Sequence, residues 1–271
     1  MRTTVVVILL SLCLGIVACG GSQKPAVPQT PPPALDTLLA CEDSERIILG
    51  DYVLHNNVWN KGDRTDYTQC VFAQSDTLPT TMGWRWEWPG SDRQIKAYPE
   101  VMFGDSPWDN EPPTGPLPLP VSDRDILVTY DTSLTATGRW NVAFEMWLTS
   151  DPVPSDENIT DEVMIWVAED GLVPGPPTYA IVTLDGVKYS LHVAAGHGDE
   201  SGGSAAKWSY IAFFAREPSL SGSLNMKSFL VYLLQEGLIE KDRYIASIEL
   251  GTEIASGEGE FILSNYEITF P

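Results

Sequence analysis

From residue 51 onward, apolar and polar positions alternate in short runs broken by Gly, Pro, Asn and Asp. That period-two rhythm predicts strand after short strand. The clearest run is Asp161-Glu162-Val163-Met164-Ile165-Trp166-Val167. Here Val163, Ile165 and Val167 make a wholly apolar face, while Glu162, Met164 and Trp166 share the other. The segment 140–148 repeats the layout, with Val142, Phe144, Met146 and Leu148 on one face and Asn141, Ala143, Glu145 and Trp147 on the other. Further strands are predicted over 52–59, 83–88, 126–130, 179–184, 188–193, 208–215, 244–250 and 261–270. Asp185-Gly186 supplies a hairpin turn and 196–203 a hairpin tip.

One segment has a different period. Met226, Phe229, Leu230, Leu233 and Leu234 fall at helical spacing and predict a helix over 225–236, with Ser223 as N-cap and Gly237 as its stop. Many antiparallel strands with one helix imply an all-β fold. The expected form is a β-jelly-roll sandwich of two antiparallel sheets with a concave groove.

The first residues follow a third pattern. Arg2 precedes an almost unbroken apolar run, Val5 to Val17, too short to span a membrane with ease. It ends in Ile16-Val17-Ala18-Cys19, which resembles a bacterial lipobox. Residues 1–18 are therefore read as a lipoprotein signal peptide and Cys19 as the lipidation site. Residues 19–37, with Pro25, Pro28, Pro31, Pro32 and Pro33, are read as a tether too poor in apolar residues to fold. Residues 38–271 form the globular domain. The expected location is the bacterial cell envelope, at the outer membrane, with membrane contact through the lipid alone. A soluble protein cut near residue 19 is the alternative.

Of the four cysteines, Cys41 and Cys70 remain in the domain, and in an oxidising compartment they are expected to pair. The formal net charge of −21 argues against nucleic acid as a partner and is compatible with a neutral polysaccharide. His55, His192 and His197 are too scattered for a metal site, and no metal or organic cofactor is expected.

The candidate chemistry lies on the mixed faces. Nine tryptophans are present, and on three segments an amide or carboxylate shares a face with one: Asn57 with Trp59, Asn141 and Glu145 with Trp147, Glu162 with Trp166. Indoles stack on the apolar faces of pyranose rings and amides bond their hydroxyls, so these segments predict a carbohydrate groove. Near the end, Glu249, Gly251 and Glu253 point away from Ile248 and Leu250. Gly251 there permits a close approach by ligand or chain. Glu162 and Glu253 are thus two carboxylates able to line one concave face.

The ordered pieces Asn56-Asn57-Val58-Trp59, Ile95-Lys96-Ala97-Tyr98-Pro99, Asn141 to Trp147, Glu162 to Trp166, Gly171-Leu172-Val173-Pro174-Gly175 and Gly251-Thr252-Glu253 resemble glycoside hydrolase family 12, the small endo-β-1,4-glucanases and xyloglucanases. The resemblance implies a retaining, endo-acting enzyme on cellulose-like β-glucans, xyloglucan or mixed-linkage glucan. It makes Glu162 the nucleophile, Glu253 the acid/base and Glu145 the carboxyl supporting Glu162. The implied sugar contacts are Asn57, Trp59, Asn141, Trp147, Met164 and Trp166, in a monomer. Glu145 and Asn60 depart from the family's usual Asp and Gly. A non-catalytic glycan-binding lipoprotein and a xylanase of the related sandwich family are the competing readings.

Overall fold

The computed structural model describes residues 38–108 and 115–271. The expected signal segment 1–18, Cys19 and the linker 19–37 lie outside the described residues.

Sixteen strands form two sheets that share one strand. The inner sheet runs, from edge to edge, β2 (Arg46–Leu49), β3 (Tyr52–His55), β6 (Glu100–Gly104), β15 (Tyr244–Gly251), β9 (Arg139–Thr149), β10 (Ile159–Asp170), β13 (Lys207–Ala215), β12 (Val187–Gly198) and β11 (Thr178–Leu184). The short β7 (Leu119–Pro120) pairs with the start of β15. The outer sheet is β1 (Leu38–Ala40), β4 (Thr68–Ala73), β5 (Met82–Trp88), β16 (Ile254–Thr269), β8 (Leu127–Ala136) and β14 (Ser221–Asn225). Strand β16 begins in the inner sheet, where Ile254 and Ser256 pair with β9, then crosses to the outer sheet from Gly257. Among the described residues the strands named here pair antiparallel except β10 with β13, and an isolated parallel bridge joins Trp140 to Gly171.

The apolar faces read from the sequence are the ones buried between the sheets. Val142, Phe144, Met146, Leu148, Val163, Ile165 and Val167 are at most 3% exposed. The helix α1 (Met226–Glu236) packs Phe229 edge-on against Tyr189 and Phe213. Its N-cap is Asn225, whose side chain accepts the Lys227 N–H at 3.1 Å, because Ser223 is held in β14. Gly237 ends the helix at φ 66°, a left-handed conformation that glycine adopts without steric cost.

Trp84, Trp86 and Trp88 of β5 face the core, not the groove. Their polar atoms explain part of the choice: Trp84 Nε1 donates to Thr252 Oγ1 at 3.0 Å and Trp88 Nε1 to Gln69 Oε1 at 3.0 Å. Cys41 and Cys70 are joined, tying the segment after β1 to β4. Strand 52–59 ends early, at His55, because Asn56 turns its amide inward. It donates to Glu42 O and Gln69 O and accepts from Gln69 Nε2.

Candidate active site

The concave face of the inner sheet follows from cross-strand register. On β9 the residues Asn141, Ala143, Glu145 and Trp147 point the same way. Opposite them on β15 stand Gly251 at Ala143, Glu249 at Glu145 and Ser247 at Trp147. On the other flank, β10 places Trp166 at Ala143, Met164 at Glu145 and Glu162 at Trp147. On β13, Tyr210 lies beside Glu162 and Ala212 beside Met164. Glu162 is therefore on one rim and Glu253 on the other, with Ala143, Gly251, Glu145 and Met164 between them. Small residues deepen the floor there. A Cβ on Gly251 would stand 2.6 Å from the Tyr98 ring, so the close approach expected at this glycine is made by Tyr98. The Tyr98 hydroxyl donates to Ala143 O at 2.9 Å.

Glu253 sits in the two-residue link between β15 and β16, where the ladder to β9 is interrupted. Asn141 holds it at three points. Asn141 N donates to Glu253 O at 3.0 Å, Glu253 N donates to Asn141 Oδ1 at 3.0 Å, and Asn141 Nδ2 donates to Glu253 Oε2. Glu162 is held by Trp208, whose Nε1 donates to Glu162 Oε2 at 2.6 Å. Trp208 belongs to a strand that the alternation predicts, yet its role is invisible there, since only tertiary structure brings it beside Glu162.

Burial sets the electrostatics of the trough. It pushes the Glu162 carboxyl up to about 8; the Trp208 N–H opposes the shift, and the charges of Glu253, Glu249 and Glu200 add to it. Burial likewise raises Glu253 to about 7, against the Asn141 amide and with the Glu200 charge. Glu145 is raised well above the ordinary carboxylate range, by burial first and by the Glu162 charge next. Such a cluster shares few negative charges at neutral pH and holds protons available for transfer.

The expected sugar contacts divide into two groups. Asn141, Trp147, Met164 and Trp166 lie in the trough but are almost fully covered. They build its floor and rim, with Trp166 Nε1 against Met164 Sδ at 3.4 Å. Asn57 and Trp59 lie beyond β3 on a partly exposed segment. Asn57 Nδ2 donates to Glu100 Oε1 at 2.9 Å, and His55 Nδ1 lies 3.3 Å from the same oxygen. Asn60 ties the Trp59 segment down through Nδ2 to Ile95 O at 2.8 Å. Among the described residues no group of three or more His, Cys, Asp or Glu side chains is arranged to hold a metal ion.

A jelly roll with two opposed, proton-holding carboxyls in an aromatic trough has the parts of a sandwich-fold glycosidase. The sequence model of glycosyl hydrolase family 12 matches residues 50–270, and the chain belongs to that family. It is 31% identical over 233 residues to endoglucanase S of Pectobacterium parmentieri, covering 83% of this chain and 85% of that protein. It is 29% identical over 248 residues to a probable xyloglucan-specific endo-β-1,4-glucanase A of Aspergillus clavatus, covering 84% and 90%. Its fold superposes on a family 12 xyloglucanase from Bacillus licheniformis with a TM-score of 0.78 at 26% identity, covering 86% of this chain and all of that one.

Proposed function

We propose that this glycosidase hydrolyses internal β-1,4-glucosidic bonds of neutral β-glucans by retaining double displacement. Glu162 is the nucleophile and Glu253 the acid/base. The observation that carries the reading is the placement of these two carboxyls on opposite rims of one trough, each fixed by its own donor. The endoglucanase and xyloglucanase relatives support the substrate class.

Glu162 attacks the anomeric carbon while Glu253 gives its proton to the leaving oxygen. Water then cleaves the glycosyl-enzyme, with Glu253 taking the water's proton. Attack needs Glu162 ionised and Glu253 protonated. Taken group by group, values of about 8 and about 7 leave the proton on Glu162, the wrong carboxyl. The two titrate as a pair, however, and the donors decide where the charge rests. The Glu162 carboxylate accepts the Trp208 N–H and the Glu253 carboxylate the Asn141 amide; a bound glycosidic oxygen accepts from protonated Glu253 and so favours the charge on Glu162. Once Glu162 is esterified its charge is gone, and Glu253 ionises more readily as the base.

The lipobox-like Ile16 to Cys19 and the Pro-rich segment after it support an enzyme tethered to the bacterial envelope through Cys19. Fatty-acid labelling lost on Cys19→Ala tests the anchor. The activity is tested by incubating the protein with xyloglucan, mixed-linkage glucan, cellulose and xylan and measuring reducing ends, with the first-formed anomer followed by NMR. A β-anomer from a glucan supports the reading. Release from xylan alone, or from nothing, overturns it.

A further inference from the structure

Trp108 follows β6 and stands 39% exposed, the most exposed tryptophan among the described residues. An exposed indole beside a trough read as a sugar site is an apolar surface that a pyranose can cover. The underside of Trp108 is well made. The ring packs edge-on against Trp147, with centroids 5.2 Å apart, and against Trp208 at 5.5 Å; Trp147 and Trp208 are themselves 5.4 Å apart. The three indoles form a closed triangle in which Trp147 and Trp208 are buried and Trp108 is the outward face.

The triangle's position says what can reach it. Trp147 is level with Glu162 across β9 and β10. Trp208 precedes Tyr210, the parallel partner of Glu162, and so lies on the side of Glu162 remote from Glu253. A glucan backbone being cleaved lies between Glu162 and Glu253. Its rings therefore cannot also rest on Trp108, outside the Glu162 rim. A β-1,4-glucan is a two-fold ribbon whose hydroxymethyl groups alternate between its edges. A sugar carried on O6 of every second residue projects over one rim, towards Trp108.

We propose that Trp108 is a specificity-determining residue that stacks on a pyranosyl substituent at O6 of the glucan, so that this enzyme favours branched chains over bare ones. The inference rests on the cleavage reading above and adds the branch to it. Trp108 is continuous with the catalytic trough through the Trp208–Glu162 hydrogen bond, and the exposed part of its indole is an apolar surface of the kind that meets the apolar face of a pyranose.

The test is steady-state kinetics of the wild-type protein, Trp108→Ala and Trp108→Phe on xyloglucan and on unbranched mixed-linkage glucan. The expected result for Trp108→Ala is a loss of about tenfold in kcat/KM on xyloglucan, carried by KM. On mixed-linkage glucan the loss is within about twofold, and Trp108→Phe falls between. Activity on the unbranched polymer serves as the folding control. Equal losses on both polymers show that Trp108 only buttresses Trp208 and overturn the proposal. So does an unchanged ratio, or a wild-type enzyme that cleaves the unbranched polymer alone. A wild-type protein inert on both polymers overturns the cleavage reading and this inference with it.

Discussion

Asn141 and Glu253 clasp each other through backbone and side chain at once, although 112 residues separate them. The amide's two ends are both used: Oδ1 accepts the Glu253 N–H, and Nδ2 donates to its carboxylate. The Nδ2 bond favours the ionised form of Glu253, so it holds the group's pKa down against burial. Asn141→Ala removes that restraint and loosens the carboxyl. The alkaline limb of the kcat/KM profile should move to higher pH while the maximum falls by about 10- to 100-fold. A lower rate with an unmoved limb would show that Asn141 only shapes the backbone.

Trp208→Phe keeps an aromatic ring but deletes the donor to Glu162. The Glu162 carboxylate loses stabilisation, its pKa rises further from about 8, and less of it is ionised at neutral pH. The acid limb of kcat/KM, which reports formation of the nucleophile, should shift upward by roughly half a unit to one unit. Potentiometric or NMR titration of Glu162 showing no shift would refute this account of the hydrogen bond.

Glu162→Gln and Glu253→Gln should each cut glucan hydrolysis by about a thousandfold or more, for different reasons. The first has no nucleophile. The second still forms a glycosyl-enzyme from substrates whose leaving group needs no proton. Aryl glycosides with an acidic phenol should therefore show a burst with Glu253→Gln and none with Glu162→Gln. The reverse pattern would exchange the two roles.

The same carboxyls cost stability as pH rises. Their pKa values in the folded chain, about 8 and about 7, exceed the ordinary 4.5, so the folded protein binds these protons more tightly than the unfolded chain does. Their contribution is fully present below about pH 4.5 and is lost as pH climbs through 7 and 8. Glu162→Gln should accordingly raise Tm at pH 8 by roughly a few degrees, a gain that disappears near pH 4. Thermal melts with a pH-independent offset would contradict it.

Reduction of Cys41–Cys70, which closes a loop with a sequence separation of 29, should cost roughly 3 kcal/mol in denaturant unfolding. The bond lies at the outer-sheet end, away from Glu162 and Glu253, so the pH profile of the folded reduced enzyme should stay in place.

Alternation carried most of the sandwich because half-buried strands must alternate. The mixed faces of 140–148 and 162–167 could be read for the same reason. The short β4 and β6 escaped, since their residues are buried on both faces or run straight into loops: Glu100 is 1% exposed at the head of β6. The β5 tryptophans share one face by period, and that face is the buried one. Period alone cannot say which side of a sheet meets the other sheet, and here hydrogen bonds to Gln69 and Thr252 make the interior acceptable to indole N–H groups. Glu162 and Glu253 were legible through their neighbours in sequence. Trp208 and Asn141 as their keepers were not, because hydrogen bonds across strands depend on register.

Strand β16 crosses from one sheet to the other and is the last of the described strands in chain order. A chain leaving the ribosome presents Glu162 and Glu145 roughly a hundred residues before Glu253, and β5 and β8 find their shared partner only when the final segment emerges. The acid therefore arrives together with closure of the sandwich. A copy that ends before Glu253 lacks both the proposed acid and the strand that joins the two sheets.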